Sequence, residues 1–181
     1  MNAKEYITPS VVLVLICLVI TGALAITYQM TEPVIAAINE KNANEARAVV
    51  LPSGADGGFS AQEGNFVDGV KEVFAANNGT GIAYTSEDKG FGGSLTVMTG
   101  VDDQGKITGV KVTKHTETPG LGTKAMTVEY LEQYIGQSAI TRSGAADKTQ
   151  IDAVTGATVT SDAVFRAVEK ALAQDGKGGA Q

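Results

Sequence analysis

No charged residue occurs between Glu5 and Glu32. Inside that window Val11-Val-Leu-Val-Leu-Ile-Cys-Leu-Val-Ile20 is wholly apolar, and Thr21-Gly-Ala-Leu-Ala-Ile-Thr-Tyr28 extends it. A span of about 20 mostly apolar residues matches the hydrocarbon thickness of a bilayer, and Tyr6 and Tyr28 stand at its ends, where aromatic rings favour the interface. Residues 1–30 are therefore expected to form one transmembrane anchor, with membrane lipid as its partner. Ala23-Leu24-Ala25, with Lys4 upstream, also suits a cleaved signal peptide. Against that reading, the apolar run continues through Ile26 and Glu5 offsets Lys4. In either case the rest of the chain is expected to be exported, which places a single-pass protein's soluble domain on the extracytoplasmic side. The span carries no charge and offers no ion pathway.

The chain beyond the span has the means to fold. With 181 residues there is room for one domain and an appendage. Apolar residues make up 43% and charged ones 19%, enough for a packed core. The net charge is -6, and no Lys/Arg run occurs, which argues against nucleic acid as a partner. Trp is absent and there are five Tyr and five Phe, so an aromatic stacking platform is not expected. One Cys (Cys17) and one His (His115) exclude a disulfide within the chain and a Cys/His metal site. His115 reads as a surface residue at a strand end.

Thr31-Glu32-Pro33 predicts a helix start, with Thr as cap and Pro in the first turn. Val34, Ile35, Ile38, Ala46, Val49 and Val50 give it a loose apolar stripe, so residues 31–52 are expected to be a juxtamembrane helix packed on the domain. Ser53–Gly81 is rich in Gly, Asn and Asp and predicts loops, with a short strand near Val70–Ala75. Strands are expected at Ile82–Ser86, Ser94–Val101 and Lys106–Lys114, the last two joined by a hairpin at Asp102-Asp103-Gln104-Gly105. Gly90-Phe91-Gly92-Gly93 allows a bend or a close backbone approach. Pro119-Gly120 fits the centre of a type II turn. Ala125–Ile135 reads as a helix with Met126, Tyr130, Leu131 and Tyr134 near one face, and Ser138–Gln150 as a polar loop. The fold class is α+β: a mainly antiparallel sheet with flanking helices over residues 53–174, preceded by the one anchor helix, and a flexible tail at 175–181.

The most informative stretch is Asp152-Ala-Val-Thr-Gly-Ala-Thr-Val-Thr-Ser161. From Ser161 onward Ala163, Val164, Ala167, Val168, Ala171 and Leu172 recur at the helical period, with Asp162, Arg166, Glu169 and Lys170 opposite. Several hydroxyls thus precede a helix N-terminus, where free N–H groups and the dipole favour negative charge. Two readings stand at this point: a phosphate site, or ordinary capping residues beside a tight turn. Glu117-Thr118-Pro119-Gly120-Leu121-Gly122 is a second irregular segment between regular elements, and it too suits either a ligand loop or a plain turn.

Together with the N-terminal span, Gly90-Phe-Gly-Gly93 and the hairpin at 102–110, these two segments resemble the FMN-binding domain family. The similarity is to the membrane-anchored G subunits of Rnf ion-translocating electron-transport complexes, and the family includes the C subunit of the sodium-pumping NADH:quinone reductase. The resemblance implies FMN joined through its phosphate to a threonine hydroxyl. In the family's Asp-x-x-Ser/Thr-Gly-Ala-Thr pattern the acceptor is the last Thr, here Thr158, with Thr155, Gly156 and Ala157 in the pattern read by a separate flavin transferase. Thr160 is the nearest rival acceptor. Glu117, Thr118, Pro119, Gly120, Leu121 and Gly122 match the loop that lines the flavin ring. Lys124 and Arg166 are candidate helpers for the phosphate.

The residues agree with that implication on physical grounds. An acidic chain is a poor host for a freely exchanging dianion, whereas a phosphoester removes one charge and retains the cofactor. The resemblance further implies an electron relay within a complex that oxidises ferredoxin, reduces NAD and moves sodium ions or protons, with other membrane and peripheral subunits as partners. No catalytic acid, base or nucleophile is expected in this chain. The alternatives are a free-standing extracytoplasmic flavoprotein serving another reductase, and a non-redox anchored binding or scaffold domain.

Overall fold

The computed structural model describes residues 3–143 and 148–178. Residues 1–2 of the expected anchor, 144–147 of the expected 138–150 loop and 179–181 of the expected tail lie outside the described residues. The chain falls into two units, Met1–Asn42 and Ala43–Gln181.

The first unit is a stretch of helix α1 (Ala3–Val50). Its best window has mean hydropathy 2.7, and it is the one helix among the described residues long and apolar enough to span a membrane. No new helix starts at Thr31. The Thr31 hydroxyl instead donates back to the carbonyls of Thr27 at 3.0 Å and Tyr28 at 3.2 Å, so it serves the helix already running. Pro33 removes one helical N–H without ending the helix. The apolar stripe assigned to this region is only partly buried: Val34, Ile35, Ile38 and Val49 are exposed, whereas Ala46 and Val50 are buried.

The second unit is organised on an antiparallel meander of five strands in chain order: β1 (Phe59–Ala61), β2 (Val70–Ala76), β3 (Gly81–Lys89), β4 (Ser94–Asp102) and β5 (Ile107–Lys114). The expected α+β class is what the chain forms. Strand β4 is covered on both faces, which explains why Leu95, Val97, Met98 and Val101 do not keep a strict alternation. Leu95, Val97 and Val101 point to one face, which helix α3 (Thr158–Gly178) covers with Ala163, Val164, Ala167, Val168 and Ala171. Met98 and Ala83 point to the other, where Ala46 and Val50 of α1 pack with Phe74.

The α1 end is seated by two facing glycines. Gly100 and Gly109 are register partners on β4 and β5, and their missing side chains admit the Val50 backbone. A Cβ on Gly109 would lie 2.8 Å from Val50 Cα. The Thr108 hydroxyl donates to the Val50 carbonyl at 2.5 Å, satisfying one of the acceptors a helix C-terminus leaves open. Three residues earlier in the helix, the Arg47 guanidinium lies 3.4 Å from the centre of the Phe74 ring.

Helix α3 is held mainly by burial. Val164 and Val168 are fully buried, and each such side chain contributes roughly 1.5–3 kcal/mol relative to exposure. An ion cluster adds orientation at the exposed edge: Asp88 of β3 accepts from Arg166 at 2.8 Å and from Lys170 at 2.8 Å. Burial pushes the Asp88 carboxyl up, but the hydrogen bonds from Arg166, Lys170 and the Lys89 amide outweigh it and leave it below the usual range. A carboxyl depressed in the folded state stabilises fully above its unfolded pKa, near pH 4, and that contribution disappears as pH falls through the folded value. Asp88→Asn is expected to cost about 1–2 kcal/mol at neutral pH. Chemical unfolding at several pH values should show the difference from wild type closing below about pH 4.

The segment expected as one helix over 125–135 is broken. A 3-10 turn (Gly122–Met126), helix α2 (Val128–Leu131) and another 3-10 turn (Glu132–Tyr134) follow one another, because Thr127 takes an extended conformation and caps α2 through Tyr130 N–H. Tyr130, Leu131 and Tyr134 are nonetheless buried together, as their spacing predicts. Two short strands, β6 (Ile140–Thr141) and β7 (Thr149–Gln150), pair in parallel within the expected loop. The tail expected to be flexible is helical through Gly178, and Asp175 accepts from the buried Tyr84 hydroxyl at 2.8 Å.

Candidate functional site

Three irregular segments meet at the start of α3. The first is Gly90-Phe91-Gly92-Gly93, between β3 and β4, closed by the Gly90 amide donating to the Gly93 carbonyl at 2.8 Å. The second follows β5: the Leu121 amide donates to the Thr118 carbonyl at 3.2 Å, with Gly120 at φ 77°, which is the type II turn that Pro119-Gly120 predicts. The third is a similar turn, with the Ala157 amide bonded to the Val154 carbonyl at 2.9 Å and Gly156 at φ 81°. The second and third turns adjoin, since a Cβ on Gly156 would meet Leu121 at 3.9 Å.

Helix α3 begins at Thr158, three residues earlier than its periodicity suggests. The Val154–Ala157 turn delivers the chain directly into the helix, and the Ser161 amide to Ala157 carbonyl bond at 2.9 Å is its first backbone bond. Thr158 and Thr160 thus lie inside the first turn, where the backbone N–H groups have no intrahelical acceptor. The Ser161 hydroxyl is occupied, accepting from the Val154 amide at 3.0 Å.

These segments enclose a cleft of about 330 Å³, the size of a small-molecule site. It brings together Glu117, Thr118, Leu121, Gly122, Gly156, Ala157, Thr158 and Thr160. Pro119, Gly120 and Thr155 shape the two turns without lining the cleft, and all three are exposed. Of the two rival hydroxyl residues, Thr158 is exposed and Thr160 is 1% exposed. Phe91 and Val159, not identified from sequence, also line the cleft and are 74% and 50% exposed. The signal for Phe91 was present: a lone aromatic among three glycines has nothing local to pack on.

The rim is apolar and uncharged apart from Glu117, which is 6% exposed and accepts from the Gly92 amide at 3.1 Å. Among the described residues no Lys or Arg lines the cleft. Lys124 is exposed and does not line the cleft, and Arg166 is bonded to Asp88 and the Lys89 carbonyl, so neither candidate helper is placed at the cleft. The start of α3 at this cleft is where open N–H groups favour negative charge. Apolar residues beside a helix N-terminus fit a flat ring system that bears an anionic group.

Comparison with known proteins gives the same direction. The FMN-binding domain family matches residues 90–173. The G subunit of the ion-translocating oxidoreductase complex of Methanosarcina acetivorans is 31% identical over 180 residues, covering 94% of this chain and 95% of that protein. The G subunit of the proton-translocating ferredoxin:NAD(+) oxidoreductase complex of Clostridium ljungdahlii is 32% identical over 168 residues, covering 90% and 87%. The G subunit of the Na(+)-translocating ferredoxin:NAD(+) oxidoreductase complex of Acetobacterium woodii is 33% identical over 186 residues, covering 89% and 87%.

Proposed function

This chain belongs to the family of G subunits of ion-translocating oxidoreductase complexes, with an FMN-binding domain, and from that premise we propose that it is a membrane-anchored electron relay carrying FMN covalently on Thr158. The observation that carries the attachment is the contrast between the two candidate hydroxyls: Thr158 is exposed at the cleft on the first residue of α3, while Thr160 is buried.

FMN, when bound, supplies the acceptance and release of electrons. The chain's own residues hold and orient it. The Thr158 oxygen carries the phosphate, and the open N–H groups of the first turn of α3 solvate its remaining charge. Phe91, Leu121 and Val159 exclude water from the ring, and Glu117 presents a carboxylate within the cleft. The relay requires no nucleophile of the protein, because passing electrons makes and breaks no bond between heavy atoms.

Residues 1–30 serve as the anchor, the FMN-binding domain works on the extracytoplasmic side, and a flavin transferase reads the 152–158 segment. Asp152, Thr155 and Gly156 of that segment are exposed in the folded domain, as an external enzyme would need. Electrons pass between this flavin and redox centres of neighbouring subunits in a ferredoxin:NAD oxidoreductase complex.

The full chain purified from its own membranes in detergent should be yellow and should keep flavin fluorescence after denaturing electrophoresis. A colourless native preparation would overturn the proposal. Colour that is lost on denaturation would retain FMN but remove the covalent bond.

A further inference from the structure

We infer that Glu117 is a positioning residue, whose buried carboxylate holds the 90–93 loop against the 118–122 segment so that the Phe91 ring closes one side of the flavin cleft. This rests on the FMN reading above and adds a role that the cleft's lining alone does not give.

The loop contains three glycines and one aromatic. Each glycine is pressed on Thr116 or Glu117. A Cβ on Gly90 would collide with Glu117 Oε1, and one on Gly92 would come within 2.5 Å of the Thr116 carbonyl oxygen. On the opposite side, a Cβ on Gly122 would lie 2.5 Å from Glu117 Oε2. The carboxylate therefore occupies a slot between two bare backbones, one from each segment.

Gly92 is gripped at both of its peptide groups. Its amide donates to Glu117 Oε1 at 3.1 Å, and its carbonyl accepts from the Thr116 hydroxyl at 2.9 Å. Successive residues after the end of β5 thus fix the loop in two directions. With glycine at 90, 92 and 93, Phe91 is the loop's one side chain, and it projects to the cleft with 74% of its surface exposed. Burying a carboxylate costs free energy unless it is hydrogen-bonded. A Thr116-type hydroxyl or a water-facing turn would fix an ordinary loop without that cost. The cost has a return if the strut sets where an aromatic ring stands against a planar ligand.

The test uses the flavin-loaded full chain in detergent, with Glu117→Ala, Glu117→Asp, Glu117→Gln and Phe91→Ala. Two readouts are taken: amide hydrogen exchange of peptides covering residues 90–95, and quenching of flavin fluorescence by iodide. Glu117→Ala, and Glu117→Asp with its shorter reach, should speed exchange at Gly92 by about tenfold, the equivalent of one lost hydrogen bond. Both should raise iodide quenching to the level that Phe91→Ala gives. The Glu117→Ala/Phe91→Ala pair should add nothing further, because the two changes remove one cover. Glu117→Gln keeps an acceptor for the Gly92 amide and should restore wild-type exchange and quenching.

Unchanged exchange in Glu117→Ala and Glu117→Asp would overturn the inference, as would a Glu117→Gln chain that behaves like Glu117→Ala. Quenching that rises in Phe91→Ala but not in Glu117→Ala would do the same. Absence of flavin from the wild-type chain sinks the FMN reading itself, whereas loaded variants that miss these outcomes sink only the role of Glu117.

Discussion

Thr158→Ala is expected to abolish flavin fluorescence in a denaturing gel, while Thr160→Ala leaves it intact. The effect is all-or-none, because denaturation strips any flavin held only by contacts and retains only what is bonded. Thr158 stands on the first residue of α3 with its side chain exposed, so its loss should leave the fold unchanged. Surface substitutions of this kind cost at most about 0.5 kcal/mol. Thr160 is 1% exposed. Removing its hydroxyl and methyl should lower stability by about 1 kcal/mol and leave the attachment in place. Both variants should be made in a host that has the transferase and exports the chain. The reverse pattern, fluorescence lost in Thr160→Ala and kept in Thr158→Ala, would move the bond to Thr160.

Gly100→Ala should damage the fold severely. Its new Cβ would collide with the Val50 carbonyl oxygen and lie 2.6 Å from the Val50 carbonyl carbon, and both are backbone atoms fixed by the helix end. Thr108, whose hydroxyl holds that same carbonyl, would be 2.7 Å away. A flexible side chain could swing aside, but a packed backbone cannot, so the cost is expected at about 3 kcal/mol. Gly64→Ala is the matched control: nothing lies within 4 Å of its Cβ position, and its effect should stay within about 0.5 kcal/mol. Thermal unfolding of the full chain in detergent, followed by circular dichroism, compares the two. Equal melting temperatures would mean that α1 does not seat on the sheet through this glycine pair.

Strands β2 to β5 were legible because their apolar and β-branched runs are bounded by glycine or a hairpin signal. Strand β1 was not: Phe59-Ser-Ala61 carries one large apolar residue, and it is a strand because β2 offers it a free edge. Thr31 and Pro33 have the chemistry of a helix start, but a helix already runs through them. A hydroxyl that can bond its own helix, and an upstream apolar run with no breaker, decide against a stop there. The 125–135 helix failed for a related reason, since Thr127 is a cap in the middle of a helical pattern and local capping prevailed over periodicity.

The site was legible as two segments far apart in the sequence. That they share a cleft depends on the 118–121 turn lying against the Val154–Ala157 turn, which no local pattern encodes. Phe91 and Val159 lie in segments the sequence singles out but are not legible as site residues, because exposed apolar residues are common on surfaces and become informative only when several face one cavity. Charge type says nothing about partner: of the two candidate cations, Arg166 has the right charge, but it is bonded to Asp88.

Mass spectrometry of the peptide spanning residues 152–166, prepared from the chain in its native membranes, tests covalent attachment most directly. Covalent attachment predicts a mass increased by FMN less one water, with fragment ions that place the addition on Thr158. The same peptide at its unmodified mass throughout would contradict it.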